Sequence, residues 1–155
     1  MPISPSSRGK LKAVPKPSDE PYVLDDQVGF LMRVAMQRHT AIFSAHMIEG
    51  LTQTQFAALA KLHEVGPCSQ NHLGRLICLD AATIKGVVDR LSARAFVAAT
   101  ADPADRRRRA VALSERGRLV TEAAMDIAVE ITAATLAPLN AEEQQQVTRF
   151  LKTLG

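Results

Sequence analysis

The sequence predicts a mainly α-helical protein: a winged helix-turn-helix whose N- and C-terminal helices form a dimerisation domain. Three observations predict it. Apolar residues recur at three- and four-residue spacing along most of the chain. Two short helical stretches are joined by a tight Cys78-Leu79 connection, the signature of a helix-turn-helix. Between the second of these and the next helix lies Thr100 to Gly117, TADPADRRRRAVALSERG, in which a turn signal and four arginines precede an apolar strand and a helix start.

Composition agrees with this class. The chain has 155 residues, enough for one domain with a real core. Apolar residues make up 46% but aromatics only 4%, and much of the apolar content is alanine and leucine, which favour helix.

Taken in order, residues 1–22 hold five of the eight prolines with Arg8, Lys10, Lys12 and Lys16. They read as a flexible basic arm, either without a role or making an accessory contact to DNA or to a partner chain. The first helix is expected from Asp25 to about His46. Its apolar stripe is Val28, Leu31, Met32, Ala35, His39, Ile42, Phe43 and His46, and Gly50 breaks it. Thr52 and Gln55 make a capping box for a second helix with Phe56, Leu59 and Leu62 inward, ended by Gly66-Pro67. Ser69 caps a short third helix around Leu73, Leu76 and Ile77. Asp80 caps a fourth that buries Ile84, Val87, Val88 and Leu91. A strand starts at Phe96-Val97, Asp102 to Asp105 turn the chain, and Val111 to Leu113 end the returning strand. Ser114 caps a long helix that Pro138 ends. Asn140 with Glu143 caps a last helix carrying Val147, Phe150, Leu151 and Leu154. The chain thus divides into a dimerisation helix (23–50), a winged helix-turn-helix (51–113) and C-terminal dimerisation helices (114–155). A small winged helix does not need the end helices for its own core, so a two-fold homodimer is expected.

The charge distribution points to a nucleic-acid partner. Asp80 to Arg118 holds nine basic residues against five acids, whereas Leu119 to the end holds two against five. In the fourth helix the inward stripe leaves Ala82, Thr83, Lys85 and Arg90 outward, with Ala81, Gly86 and Asp89. Small residues let that helix end approach base edges, Thr83 offers a hydroxyl and a methyl, Lys85 reaches a phosphate or guanine, and the helix N-terminus favours phosphate. In the wing, strand alternation would place Arg107 and Arg109 on one face and Arg106 and Arg108 on the other. One arginine near the tip would enter a narrow minor groove, and the others would meet phosphate or pair with Asp102 and Asp105. No Gly-rich phosphate loop, nucleophile elbow or paired-carboxylate motif suggests an enzyme, and no cofactor is implied. Two cysteines make no secreted framework. MPISPSSRGK is no signal peptide, and no run is long and apolar enough for a membrane helix, so a cytoplasmic protein is expected.

Thr52 to Gly117, spanning LTQTQFAALAKLHEVGPCSQNHLGRLICLDAATIKGVVDRLSARAFV and then DPADRRRRAVALSERG, resembles the MarR family of bacterial transcription regulators. Asp105-x-Arg107 and Leu113-Ser114-x-x-Gly117 fall in the family's register, and with the end helices the resemblance covers about residues 25–155. It implies a recognition helix within Asp80 to Arg94, Arg107 as the minor-groove arginine, a pseudo-palindromic operator in double-stranded DNA, and repression as the common mode. The chain departs from the pattern in the first wing strand, with Ala98, Ala99 and Thr100 where arginines are frequent. It departs again at Ala95, which stands where a glycine is usual.

The resemblance also implies a small aromatic acid or phenol as effector. Candidate ligand residues are Arg38, His39, His46 and His63, with His72 a further histidine. Imidazole donates to a carboxylate or hydroxyl, and arginine grips a carboxylate bidentately. Hydrogen-bonded core or interface histidines are the competing reading. GPCSQNHLGRL and DAATIKGVVDRL resemble the subgroup of repressors controlling nicotinate degradation, which implies a pyridine carboxylate such as 6-hydroxynicotinate. Alternatives are redox sensing through Cys68 and Cys78, although Cys78 is expected to be buried, and zinc sensing through the histidines, although no compact ligand motif stands behind it. An effector-free architectural DNA-binding protein is a further alternative.

Overall fold

The computed structural model describes residues 21–155, so the basic arm lies outside the described residues, apart from Pro21 and Tyr22. A 3-10 turn at Leu24–Asp26 precedes α1 (Val28–His46); a second 3-10 turn, Ile48–Gly50, links it to α2 (Gln53–Val65). Then come α3 (Gln70–Leu76), α4 (Ala81–Ala93), β1 (Val97–Ala101), β2 (Arg109–Leu113), α5 (Glu115–Leu136) and α6 (Ala141–Leu154). The first helix starts later than expected. Gln27 is extended, so the two acids before it close a separate turn.

Local signals explain most boundaries. Thr52 and Gln55 exchange both bonds of a capping box, as do Asn140 and Glu143. Ser69, Asp80 and Ser114 each accept from the backbone N–H three residues on. Two helices end in the same way. Leu79 N–H donates to Gly74 and Cys78 N–H to Arg75; Phe96 N–H donates to Leu91 and Ala95 N–H to Ser92. Both are Schellman turns, with Cys78 (φ 57°) and Ala95 (φ 59°) in the left-handed position that glycine usually takes. The turn at Cys78 directs its side chain outward. Cys78 is therefore exposed, contrary to the sequence expectation, and Cys68 is the buried cysteine.

The core fills the space between α2, α4, the hairpin and the middle of α5. Leu59, Leu73, Ile84, Leu91 and Phe96 are fully buried, and Val87 and Leu62 nearly so. The strands pair antiparallel from Val97 opposite Leu113 to Ala101 opposite Arg109. Cys68 adds two backbone bonds to Val111, joining the start of α3 to the returning strand. Gly117 is forced by close approach: a Cβ there would lie 1.8 Å from the Phe96 carbonyl oxygen.

The ends of the chain are different. Phe43 is the only buried residue of α1, and α6 has none. Val28 is 65% exposed, Phe150 54% and Leu154 68%, leaving apolar stripes on both helices uncovered in the single chain.

Candidate nucleic-acid interface and effector region

Helix α4 buries Ile84, Val87, Val88 and Leu91 and turns Ala81, Ala82, Thr83, Lys85, Asp89 and Arg90 outward. Asp80 anchors its start. One carboxylate oxygen accepts from Thr83 N–H at 2.7 Å and the other from the Thr83 hydroxyl at 2.9 Å. These bonds hold the Asp80 carboxyl below the usual carboxylate range. The folded pKa lies below the unfolded one, so the cap is intact at neutral pH and is lost only as pH falls through the folded value. With its proton committed to Asp80, the Thr83 hydroxyl retains lone pairs and a methyl for a base edge. Lys85 pairs with Asp89 at 2.7 Å. Both side chains are exposed, so a phosphate can replace that bond at little cost.

Strand β2 begins only at Arg109, so Arg106, Arg107 and Arg108 lie in the loop and strand alternation does not sort them. Two aspartates shape that loop. Asp102 accepts from Ala104 N–H and Asp105 from Arg107 N–H, each two residues on, as Asx turns do. Asp102 N–H donates to Arg108 and Arg108 N–H to Asp105, closing the tip. All four arginines are exposed. Arg108 lies 3.5 Å from Asp105; among the described residues, Arg106, Arg107 and Arg109 have no carboxylate within salt-bridge distance. The basic stretch ends with Arg118, which Glu115 and Glu122 bracket at 2.7 Å each. Its hydrogen bonds hold both carboxyls below their usual range.

The four candidate ligand residues do not meet. Arg38 donates to the carbonyls of Thr135 and, at 3.0 Å, Ala134, near the C-terminal end of α5. The Thr135 hydroxyl donates to Ile131, so it accepts at 2.9 Å from His39 Nδ1, which carries the ring proton. His63 lies 3.5 Å from Glu122. Thr135 and Glu122 are 13 positions apart on α5, about 20 Å along the helix axis. His46 is exposed and donates to Ile42 of its own helix, off the packed stripe where it was expected. Arg38 and His39 thus form one cluster, and His46 and His63 stand apart from it. His72 is exposed and takes a contact from Arg75.

A cleft of about 410 Å³ opens where α1 meets α2. Phe43, Met47 and Leu51 give its apolar wall, and Ser44, Thr52 and Gln53 its polar groups. Sequence reasoning missed it, because it forms where a helix end folds back over a turn. Burial, and secondly the charge of Asp102, push the Cys68 thiol up, which disfavours the reactive thiolate. No group of three or more metal-ligating side chains occurs among the described residues. No helix among them is long and apolar enough to cross a membrane.

Comparison with known proteins matches this arrangement. A model of the MarR family matches residues 51–108. The chain is 40% identical to the HTH-type transcriptional repressor NicR of Pseudomonas putida, over 86% of this chain and 85% of that protein. It is similar to the crystal structure of a probable transcriptional regulator from Pseudomonas aeruginosa, with 50% identity and a TM-score of 0.82, covering 86% of this chain and all of the other. Bordetella bronchiseptica BpsR, whose DNA binding is regulated by 6-hydroxynicotinic acid, matches with 38% identity and a TM-score of 0.81, over 87% of this chain and 97% of BpsR.

Proposed function

Because the chain belongs to the MarR family, we propose that it is a dimeric, non-enzymatic repressor that leaves its operator when it binds a small aromatic carboxylate. The observation that carries the DNA-binding half is the pairing of α4 with the arginine loop. A helix with small exposed residues in its first turn, capped by Asp80, is followed in the same chain by three exposed arginines without carboxylate partners among the described residues, and Arg109 shares a cleft with Val88 and Ser92 of that helix. Ala82, Thr83, Lys85 and Arg90 face the major groove. Arg107, held at the tip by Asp105, enters the minor groove, and Arg106, Arg108 and Arg109 meet phosphates. Residues 23–50 and 114–155 make the dimer base, and the uncovered stripes of α1 and α6 support that assignment. A regulator of this kind works beside the chromosome, in the cytoplasm.

The likeness to NicR and BpsR supports a pyridine carboxylate as effector. Arg38 and His39 would hold the carboxylate, with Arg38 exchanging the α5 carbonyls for it. The α1–α2 cleft is the second place, favoured by its apolar wall.

Selecting operators from random duplex DNA tests the reading. The expected product is a pseudo-palindrome with half-sites about one helical turn apart, released by 6-hydroxynicotinic acid. Salt-dependent binding without sequence preference would leave an architectural protein instead. If no acid in a panel of hydroxylated benzoates and pyridine carboxylates shifts binding, the effector reading falls.

A further inference from the structure

Arg94 is basic and ends the recognition helix, yet its side chain turns away from the reading face. It occupies the C-cap of α4, and one guanidinium nitrogen donates to the Glu49 carbonyl at 2.7 Å and to the Glu49 carboxylate at 3.2 Å. The guanidinium lies 4.5 Å from the centre of the buried Phe96 ring, and Arg116 approaches the same ring at 5.1 Å. Its side chain is only 33% exposed.

Glu49 is an unusual thing to hold. It sits in the turn between α1 and α2 with φ 56°, followed by Gly50 at φ 58°, two successive left-handed residues. A glutamate in that region is strained, and such conformations persist only where surrounding contacts fix them. Arg94 supplies two of those contacts from 45 positions away. Gly50, the next residue, lines the α1–α2 cleft. One guanidinium thus connects the end of the reading helix, its aromatic neighbour and the turn that separates the reading head from α1.

We infer that Arg94 is a positioning residue that ties the pitch of the recognition helix to the α1–α2 turn and so carries effector binding to the reading head. The inference rests on the repressor reading above. The side chain does not touch DNA. When the turn is held, α4 stays at the angle that fits the operator; when the turn moves, the helix moves with it. An energetic link of this kind is a property of two states and must show as a change in coupling, not only in affinity.

The test uses the full-length dimer and an operator selected by the wild-type chain. Operator affinity is measured across a salt series, with and without saturating 6-hydroxynicotinic acid. Arg94→Ala is expected to weaken binding about tenfold while leaving the salt slope unchanged, whereas loss of a phosphate contact lowers that slope by about one. The acid's effect on affinity should shrink at least about threefold. Arg94→Lys, which keeps a cation over Phe96 and one donor for Glu49, should recover part of both and serves if the alanine variant does not fold. Glu49→Gln keeps the backbone acceptor and should change affinity less than about threefold. A lowered salt slope makes Arg94 a phosphate contact and overturns the inference. So does an unchanged response to the acid in both Arg94 variants. If the wild type ignores this acid and every other acid of the panel, the effector reading fails first and takes the inference with it.

Discussion

The reading head and the helical base are made from the same residue types but solve different problems. In the head, α2, α3, α4 and the hairpin bury their apolar faces on one another, and Leu59, Leu73, Ile84, Leu91 and Phe96 are closed from water within one chain. In the base, Val28, Leu31 and Met32 of α1 and Phe150, Leu151 and Leu154 of α6 stay exposed. A helix with an apolar stripe and nothing against it marks a surface built for another molecule. The head closes its core within one chain, with Ala124 of α5 and Phe43 of α1 packed into it, whereas the outer stripes of α1 and α6 stay uncovered.

The contrast breaks most severely at Gly117, where the two regions join. Gly117→Ala forces a Cβ into the Phe96 carbonyl and should cost at least about 3 kcal/mol in denaturant unfolding. An unchanged midpoint would mean that the junction is slack. Next is Phe150→Asp, which places a charge on the uncovered stripe. It should weaken the dimer by about 2 kcal/mol, seen as a monomer shift in sedimentation, while the head's hydrogen-exchange protection persists. A stable dimer would move the interface off α6. Arg107→Ala should weaken operator binding about tenfold and lower the salt slope by about one without dissociating the dimer. Equal affinity across the series would remove it from the groove. The smallest effect is Ala95→Gly, which relieves a left-handed alanine and should raise stability by about 1 kcal/mol in the same unfolding assay.

What could be read from the chain in advance was mostly local. Thr52 with Gln55, Asn140 with Glu143, and the caps at Ser69, Asp80 and Ser114 act within one helical turn, so sequence spacing contains the whole interaction. The inward stripe of α4 was legible for the same reason. Cys78 misled because its neighbours Ile77 and Leu79 are apolar, and only the backbone bonds of the Schellman turn reveal that it points out. The arginine run looked like strand because an apolar strand follows it; the two aspartate side chains, by taking backbone N–H groups, hold 102–108 in a loop. Helical periodicity placed His39 on a stripe but could not supply Thr135, which arrives from 96 positions away. Arg94 and Glu49 are hidden in the same way.

The two Schellman turns have a practical consequence for redesign. They stand on either side of α4, and each is held by main-chain donors and acceptors, with the Asp80 cap beside the first. The helix is hung by its ends, and its suspension does not depend on which side chains occupy Ala81, Ala82, Lys85 or Asp89. That outer face is therefore a replaceable cassette: on the proposed reading of α4 as the recognition helix, new residues there would alter which DNA is chosen while the scaffold's geometry stays as it is.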